Sequence, residues 1–200
     1  MVKIISADEI KETIANYTPD KAEQFHNQSA KLADKQFEVS IKSSSNSKVI
    51  LMSGGTASGK TEFLVTQLIH KKCVAMDATL YTELGAQIKI KKIIKEKKSP
   101  VIYAVIPDDI KRAFIAFLNR DRKFSDTHFY RTHSGSRRTL LWVAKNFPAV
   151  EIHVIESSYT KKKEVRFTEI IFNNRKELIS YLTGKLLSEA DIISILQSQL

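Results

Sequence analysis

Short continuous apolar runs alternate along this chain with longer stretches whose apolar positions recur every three or four residues. Val49-Ile-Leu-Met52, Cys73-Val-Ala-Met76, Val101-Ile-Tyr-Ala-Val-Ile106 and Val150-Glu-Ile-His-Val-Ile155 read as strands, with Val165–Phe172 as a fifth. An unbroken apolar run means that both faces of the strand are covered, which is the condition of a parallel sheet. Between the strands, residues 60–70 and 81–97 read as helices. So does a segment opened by Asp108 and Asp109 that carries Ala113, Phe114, Phe117 and Leu118. Residues 121–146 are polar, arginine-rich and predicted to be helical in pieces. Two helices close the chain, Asn174–Leu182 and Ser188–Leu200, split by Gly184. Strands separated by helices predict a three-layer α/β fold, a mostly parallel sheet flanked by helices.

Residues 1–47 lack such runs and read as a helical preface to a domain spanning 48–200. Ser6-Ala-Asp-Glu9 has the form of a capping box, and Thr18-Pro19 of a second helix start. Phe25, Leu32, Ala33 and Phe37 form an apolar stripe, and Ser43–Ser47 reads as a polar hinge. The chain has 200 residues, 42% hydrophobic and 27% charged, which suits a folded core and excludes a disordered class. The single cysteine, Cys73, excludes an intramolecular disulfide framework and any multi-cysteine metal site. No apolar run is long enough to span a bilayer and the first residues do not form a secretory leader, so a soluble, cytoplasmic protein is expected.

Charge narrows the partners. With 32 Lys+Arg against 22 Asp+Glu, the formal net charge is +10, which favours nucleotides, phosphorylated metabolites, nucleic acid or an acidic membrane surface. Part of the excess lies in Lys89–Lys98, read as a solvated helix face with Ile88, Ile90, Ile93 and Ile94 turned inward.

The candidate chemistry lies between the first clear strand and the helix after it. Gly54-Gly55-Thr56-Ala57-Ser58-Gly59-Lys60-Thr61 matches G-x-x-x-x-G-K-[ST] at every fixed position. Backbone N–H groups can wrap a pyrophosphate only where side chains do not obstruct the approach. Lys60 would reach the terminal phosphates and the Thr61 hydroxyl would ligate Mg²⁺, with the following helix aiming its positive end at the anion. Such a site needs an acid at the end of a neighbouring strand. Asp77 is best placed, either holding Mg²⁺ through water or activating a nucleophile. It also needs cations against the transferring charge. Arg120, Arg122 and Arg131, in a lid-like segment of about 120–138, are the candidates. His128 and His133 are five apart and do not stack as a metal pair. Phe124, Phe129 and Tyr130 interleave with arginines in a pattern that could stack bases.

On these residues the chain resembles the zeta-toxin family of P-loop kinases over about residues 24–157. The similarity is carried by Phe25-His26, Ser29-Ala30 and Phe37, by Val49–Glu62, by Asp77-Ala78-Thr79-Leu80 and by Val101–Pro107 with its following helix and arginines. The resemblance implies a P-loop NTPase fold and an ATP- or GTP-dependent kinase. The family acts on a nucleotide-activated amino sugar, other small molecules or nucleic-acid ends, and its toxins work beside an antitoxin. One departure stands out. Family members place an extra strand, with an acidic catalytic base, between the phosphate-loop helix and the acidic-x-Thr strand. Here only residues 62–72 separate Thr61 from Cys73. Either Asp77 takes the base role, or the chain binds nucleotide without that chemistry.

The expectation is therefore transfer of a γ-phosphate from ATP or GTP to a hydroxyl of a small-molecule acceptor, with an antitoxin-like protein as a candidate partner and no membrane association. The alternatives are a regulatory nucleotide-binding module with weak hydrolysis and an enzyme acting on nucleic-acid ends.

Overall fold

A computed structural model describes residues 1–160 and 164–198. Six strands form one sheet: β1 (Lys3–Ser6), β2 (Lys48–Ser53), β3 (Val74–Asp77), β4 (Ser99–Pro107), β5 (Glu151–Tyr159) and β6 (Val165–Ile170). Their spatial order is β1-β3-β2-β4-β5-β6. The first five are mutually parallel and β6 returns antiparallel to β5. The helices are α1 (Ala7–Glu12), α2 (His26–Ser43), α3 (Lys60–Gln67), α4 (Glu83–Lys95), α5 (Ile110–Leu118), α6 (Asp126–Asn146), α7 (Arg175–Gly184) and α8 (Glu189–Gln197).

Successive strand residues point to opposite faces, and the two faces are buried against different helices. Val49 and Leu51 join Ala33, Phe37 and Ile41 of α2, Ile90 and Ile93 of α4, Leu140 of α6 and Leu178 of α7. Ile50 and Met52 pack instead with Phe63, Leu64 and Leu68 from α3 and its end. A third cluster joins Ile110, Ala113 and Phe117 of α5 to Phe129 of α6 and Ile192 of α8. This is the expected three-layer α/β arrangement, a mostly parallel sheet flanked by helices as in a P-loop NTPase-like fold.

Three features differ from the sequence reading. Residues 1–47 are largely helical, but they open with β1, whose backbone pairs with β3 in the register Ser6↔Asp77. They do not stand apart from the rest, because α2 buries its stripe in the same core as β2, and Lys89–Asp34 and Lys92–Glu38 ion pairs tie it to α4. Residues 126–146 form one continuous helix rather than pieces. The lid-like span of 120–138 is thus a short loop followed by buried helix, with His128, Phe129, Thr132, His133, Ser136 and Arg137 inside. On α4, Ala86, Ile90 and Ile93 make the buried stripe, while Ile88 and Ile94 face solvent, at 45% and 49% exposed. The helix meets one neighbouring layer, so one stripe suffices.

Candidate functional site

In a parallel sheet the strand carboxyl ends gather at one edge, where the following loops leave room for a ligand. Here β1 ends at Ser6, β2 at Ser53 and β3 at Asp77. A cavity of about 310 Å³ opens there, lined among others by Asp8, Thr56–Thr61, Asp77, Arg120, Phe124 and Tyr159.

The loop between β2 and α3 has the geometry its motif requires. Gly54 and Gly59 adopt φ of 136° and 88°, and Ala57 takes a left-handed φ of 57°. Four successive carbonyls are each occupied by a side-chain donor. Lys60 Nζ donates to Gly55 O at 2.7 Å, His133 Nε2 to Thr56 O at 2.8 Å and Ser157 Oγ to Ser58 O at 2.8 Å, while the Tyr159 hydroxyl donates to Ala57 O. With its acceptors engaged, and the Gly54, Thr56 and Ser58 N–H groups donating to Thr79 O, Thr132 Oγ1 and Gly55 O, the loop is left with the N–H groups from Ala57 and Gly59 onward to offer an anion. Gly54 and Gly55 do not line the cavity. They face inward, where a Cβ on Gly54 would stand 2.3 Å from Val105 O and one on Gly55 would meet the His133 ring at 2.2 Å.

Lys60 is only 8% exposed. Desolvation lowers its pKa to about 8, opposed by the negative charge of Asp77. Thr61 donates from Oγ1 to Asp77 Oδ2 at 2.6 Å. Desolvation pushes the Asp77 carboxyl up, while Lys60 and the Thr61 hydrogen bond pull it back. No group of three or more His, Cys, Asp or Glu side chains able to hold a metal exists among the described residues. One hydroxyl and one carboxylate, both oxygen donors, nevertheless fit a Mg²⁺ ion whose other ligands are water and nucleotide phosphate.

The three candidate arginines separate. Arg120 enters the cavity and donates from Nη1 to Thr56 Oγ1 at 3.0 Å. Arg122 lies behind it, with Nη1 2.7 Å from Asp8 Oδ2. Arg131 is exposed, its guanidinium 5.7 Å from the Tyr81 ring centroid, and does not line the cavity. Asp109 caps α5, accepting from the N–H groups of Lys111 and Arg112, and Asp108 Oδ2 accepts from Ser158 Oγ.

Sequence reasoning missed Asp8. The residue stands in the first turn of α1, two positions after β1 ends, so the Ser6↔Asp77 register brings it to the edge where Asp77 stands. Burial opposes its charge, but Arg122 and Lys11 outweigh that cost and hold its pKa below the ordinary value. Lys11 is fully buried, donates to Asp8 Oδ1 at 3.1 Å and lies 4.8 Å from the Phe124 ring centroid. His26, Phe124 and His128 complete that wall, Phe124 and His128 being stacked at 4.4 Å. Desolvation takes the His128 pKa down to about 4, so its ring is neutral at physiological pH. Phe129, a candidate for base stacking, is instead fully buried against Phe117 and His133. The legible signal for this missed corner was the Ile4-Ile5 pair directly before a Ser cap, a strand-then-helix junction in miniature.

No family model and no curated protein sequence matches the chain. Solved structures do. The crystal structure of AvrRxo1-ORF1:-ORF2 with ATP aligns with a TM-score of 0.52 at 12% identity, covering 86% of this chain and 75% of that one. The native AvrRxo1-ORF1:-ORF2 complex aligns with a TM-score of 0.49 at 10% identity, covering 86% of this chain and 84% of that one. At such identities the likeness concerns the fold, in agreement with the P-loop NTPase-like sheet. No helix among the described residues is long and apolar enough to cross a membrane.

Proposed function

We propose that the chain is a phosphotransferase carrying the terminal phosphoryl group of ATP or GTP to a hydroxyl of a small-molecule acceptor. The observation that carries this reading is the convergence on one cavity of a carbonyl-braced phosphate loop, the Thr61–Asp77 pair, Arg120 and a second carboxylate, Asp8. The loop N–H groups and Lys60 bind the phosphates. Thr61 and Asp77 hold Mg²⁺, which would neutralise charge on the phosphate oxygens. Arg120 faces the transferring group, where charge stabilisation supplies much of the rate.

Asp77, engaged by Thr61, would serve the metal. Asp8 is therefore assigned to orient the acceptor hydroxyl and take its proton, with Arg122 and Lys11 keeping it ionised. From the first turn of α1, just after β1, it supplies the acid that residues 62–72 are too few to deliver on a strand of their own. An antitoxin-like protein partner is proposed as well, since the ATP-bound neighbour of similar fold is an AvrRxo1-ORF1:-ORF2 assembly.

The test is calorimetric titration of ATP and GTP with Mg²⁺ into wild type, Lys60→Ala and Asp8→Asn, followed by γ-phosphate transfer assays against sugars, nucleosides and oligonucleotide ends. Wild type and Asp8→Asn bind nucleotide, Lys60→Ala does not, and Asp8→Asn loses turnover by a factor of about 10² or more. Absence of nucleotide binding by folded wild type overturns the reading. Unchanged turnover in Asp8→Asn removes Asp8 from it.

A further inference from the structure

Helix α6 carries an unusual internal pair. His133 and Arg137, one turn apart, are both buried, at 0% and 6% exposure, and Arg137 has no carboxylate partner among the described residues. Arg137 Nη1 donates to His133 O at 3.2 Å and lies 3.2 Å from His133 Nδ1, while its Nε has no partner among the described residues. On the other side of the imidazole, Nε2 lies 2.8 Å from Thr56 O.

A carbonyl only accepts, so Nε2 must carry the proton. A guanidinium only donates, so Nδ1 must be bare. The two neighbours thus dictate one neutral tautomer. A proton on Nδ1 would set N–H against N–H. The neighbouring residue supports the same peptide: Thr132 Oγ1, which donates to Phe129 O at 3.1 Å, accepts from Thr56 N–H at 3.2 Å. Helix α6 therefore grips both backbone polar groups of Thr56 from outside the cavity.

We infer that His133 is a positioning residue of the phosphate loop, fixed in its Nε2–H form by the buried Arg137 and holding the Thr56 carbonyl away from the bound nucleotide. The inference rests on the nucleotide-binding reading above and adds residues that do not touch the ligand cavity. Its logic is electrostatic. A free Thr56 carbonyl could rotate toward the phosphates and present oxygen to oxygen. Pinning it outward lets the next N–H groups face the anion at no reorganisation cost. Two groups disfavour a charged imidazole at this position, Arg137 on the same helix and Lys60 from α3, and burial acts in the same direction. The hold is accordingly insensitive to pH across the neutral range.

The test has two arms. In the first, long-range imidazole ¹⁵N spectra of wild type place His133 in the Nε2–H form, without titration down to pH 5. The same spectra of Arg137→Met show that form mixed or titrating. A wild-type His133 that carries its proton on Nδ1, or titrates near 6.5, overturns the inference whatever the nucleotide does. In the second, Mg²⁺–ATP is titrated into His133→Leu and His133→Gln, with melting temperatures measured alongside. His133→Leu raises Kd about tenfold or more, and His133→Gln, whose amide can reach the same carbonyl, recovers most of that loss at a similar melting temperature. Equal ATP affinity in wild type and His133→Leu overturns the positioning role. Failure of wild type itself to bind ATP overturns the proposed function, and the spectra still decide the tautomer.

Discussion

Replacing Lys60 with Met should make the nucleotide-free protein more stable while removing its ability to bind ATP. Lys60 is 8% exposed, and its pKa of about 8 lies well below the ordinary 10.5 because burial strips water from the ammonium. At about 1.4 kcal/mol per pKa unit, holding the charged form in the fold costs roughly 3 kcal/mol at pH 7. Met has a similar shape and no charge, so it keeps the packing and removes that cost. Against this stands the loss of the hydrogen bond to Gly55 O, about 1 kcal/mol, softened because Ser58 N–H also reaches that carbonyl at 3.3 Å. The net gain is roughly 1–2 kcal/mol, or roughly 2–8 °C in melting temperature for a chain of this size. The pH dependence fixes the cause. The folded pKa lies below the unfolded one, so the penalty is complete below pH 8 and is relieved as pH rises from 8 toward 10.5. Chemical denaturation at pH 7 and pH 10 should show the Lys60→Met advantage shrinking at the higher value. A variant less stable than wild type at pH 7, or an advantage independent of pH, would refute the claim that Lys60 is held at an electrostatic cost.

The same depressed pKa predicts proton uptake on nucleotide binding, since a triphosphate beside Lys60 restores its charge. With a free-state pKa of about 8, binding at pH 8 should take up about half a proton and at pH 7 about a tenth, read by calorimetry in buffers of different ionisation enthalpy. Arg122→Ala removes a charge that lowers the Asp8 pKa, so the acid limb of the pH–turnover profile should move upward; a limb that stays in place would detach Asp8 from the proton transfer. Gly55→Ala sets a Cβ 2.2 Å from the His133 ring. It should cost about 1–3 kcal/mol in urea denaturation and weaken ATP binding as the ring is displaced from Thr56.

What was legible in the sequence was local. Eight consecutive residues, Gly54–Thr61, carry the proposed phosphate-loop motif, because what such a motif needs is backbone shape, and backbone shape is written in neighbouring residues. Asp77 was legible for a similar reason, as the first polar residue after an apolar strand. Asp8 was not, because its importance comes from a pairing between Lys3–Ser6 and Val74–Asp77 that no local pattern announces. An edge strand of four residues with a lysine at its start reads as a helix preamble. Helix α6 misled in the opposite sense. Thr132, His133, Ser136 and Arg137 fall in the segment that reads as a polar lid, yet they are buried. Two of them, Thr132 and His133, are polar because the backbone they pack against is an irregular loop that needs hydrogen-bond partners.

These two misreadings have one physical root. The phosphate loop leaves β2 without regular ladder partners for its own backbone, and the short return through residues 62–72 leaves the outer edge of β3 unpaired. Each deficit sits beside the ligand cavity, where exposed backbone groups would compete with the anion or invite water. The chain fills the first with side chains from α3, α6 and β5 and the second with β1. The consequence of the β1–β3 pairing is the carboxylate that follows β1, Asp8 in the first turn of α1, which is brought into the cavity flanked by Lys11 and Arg122.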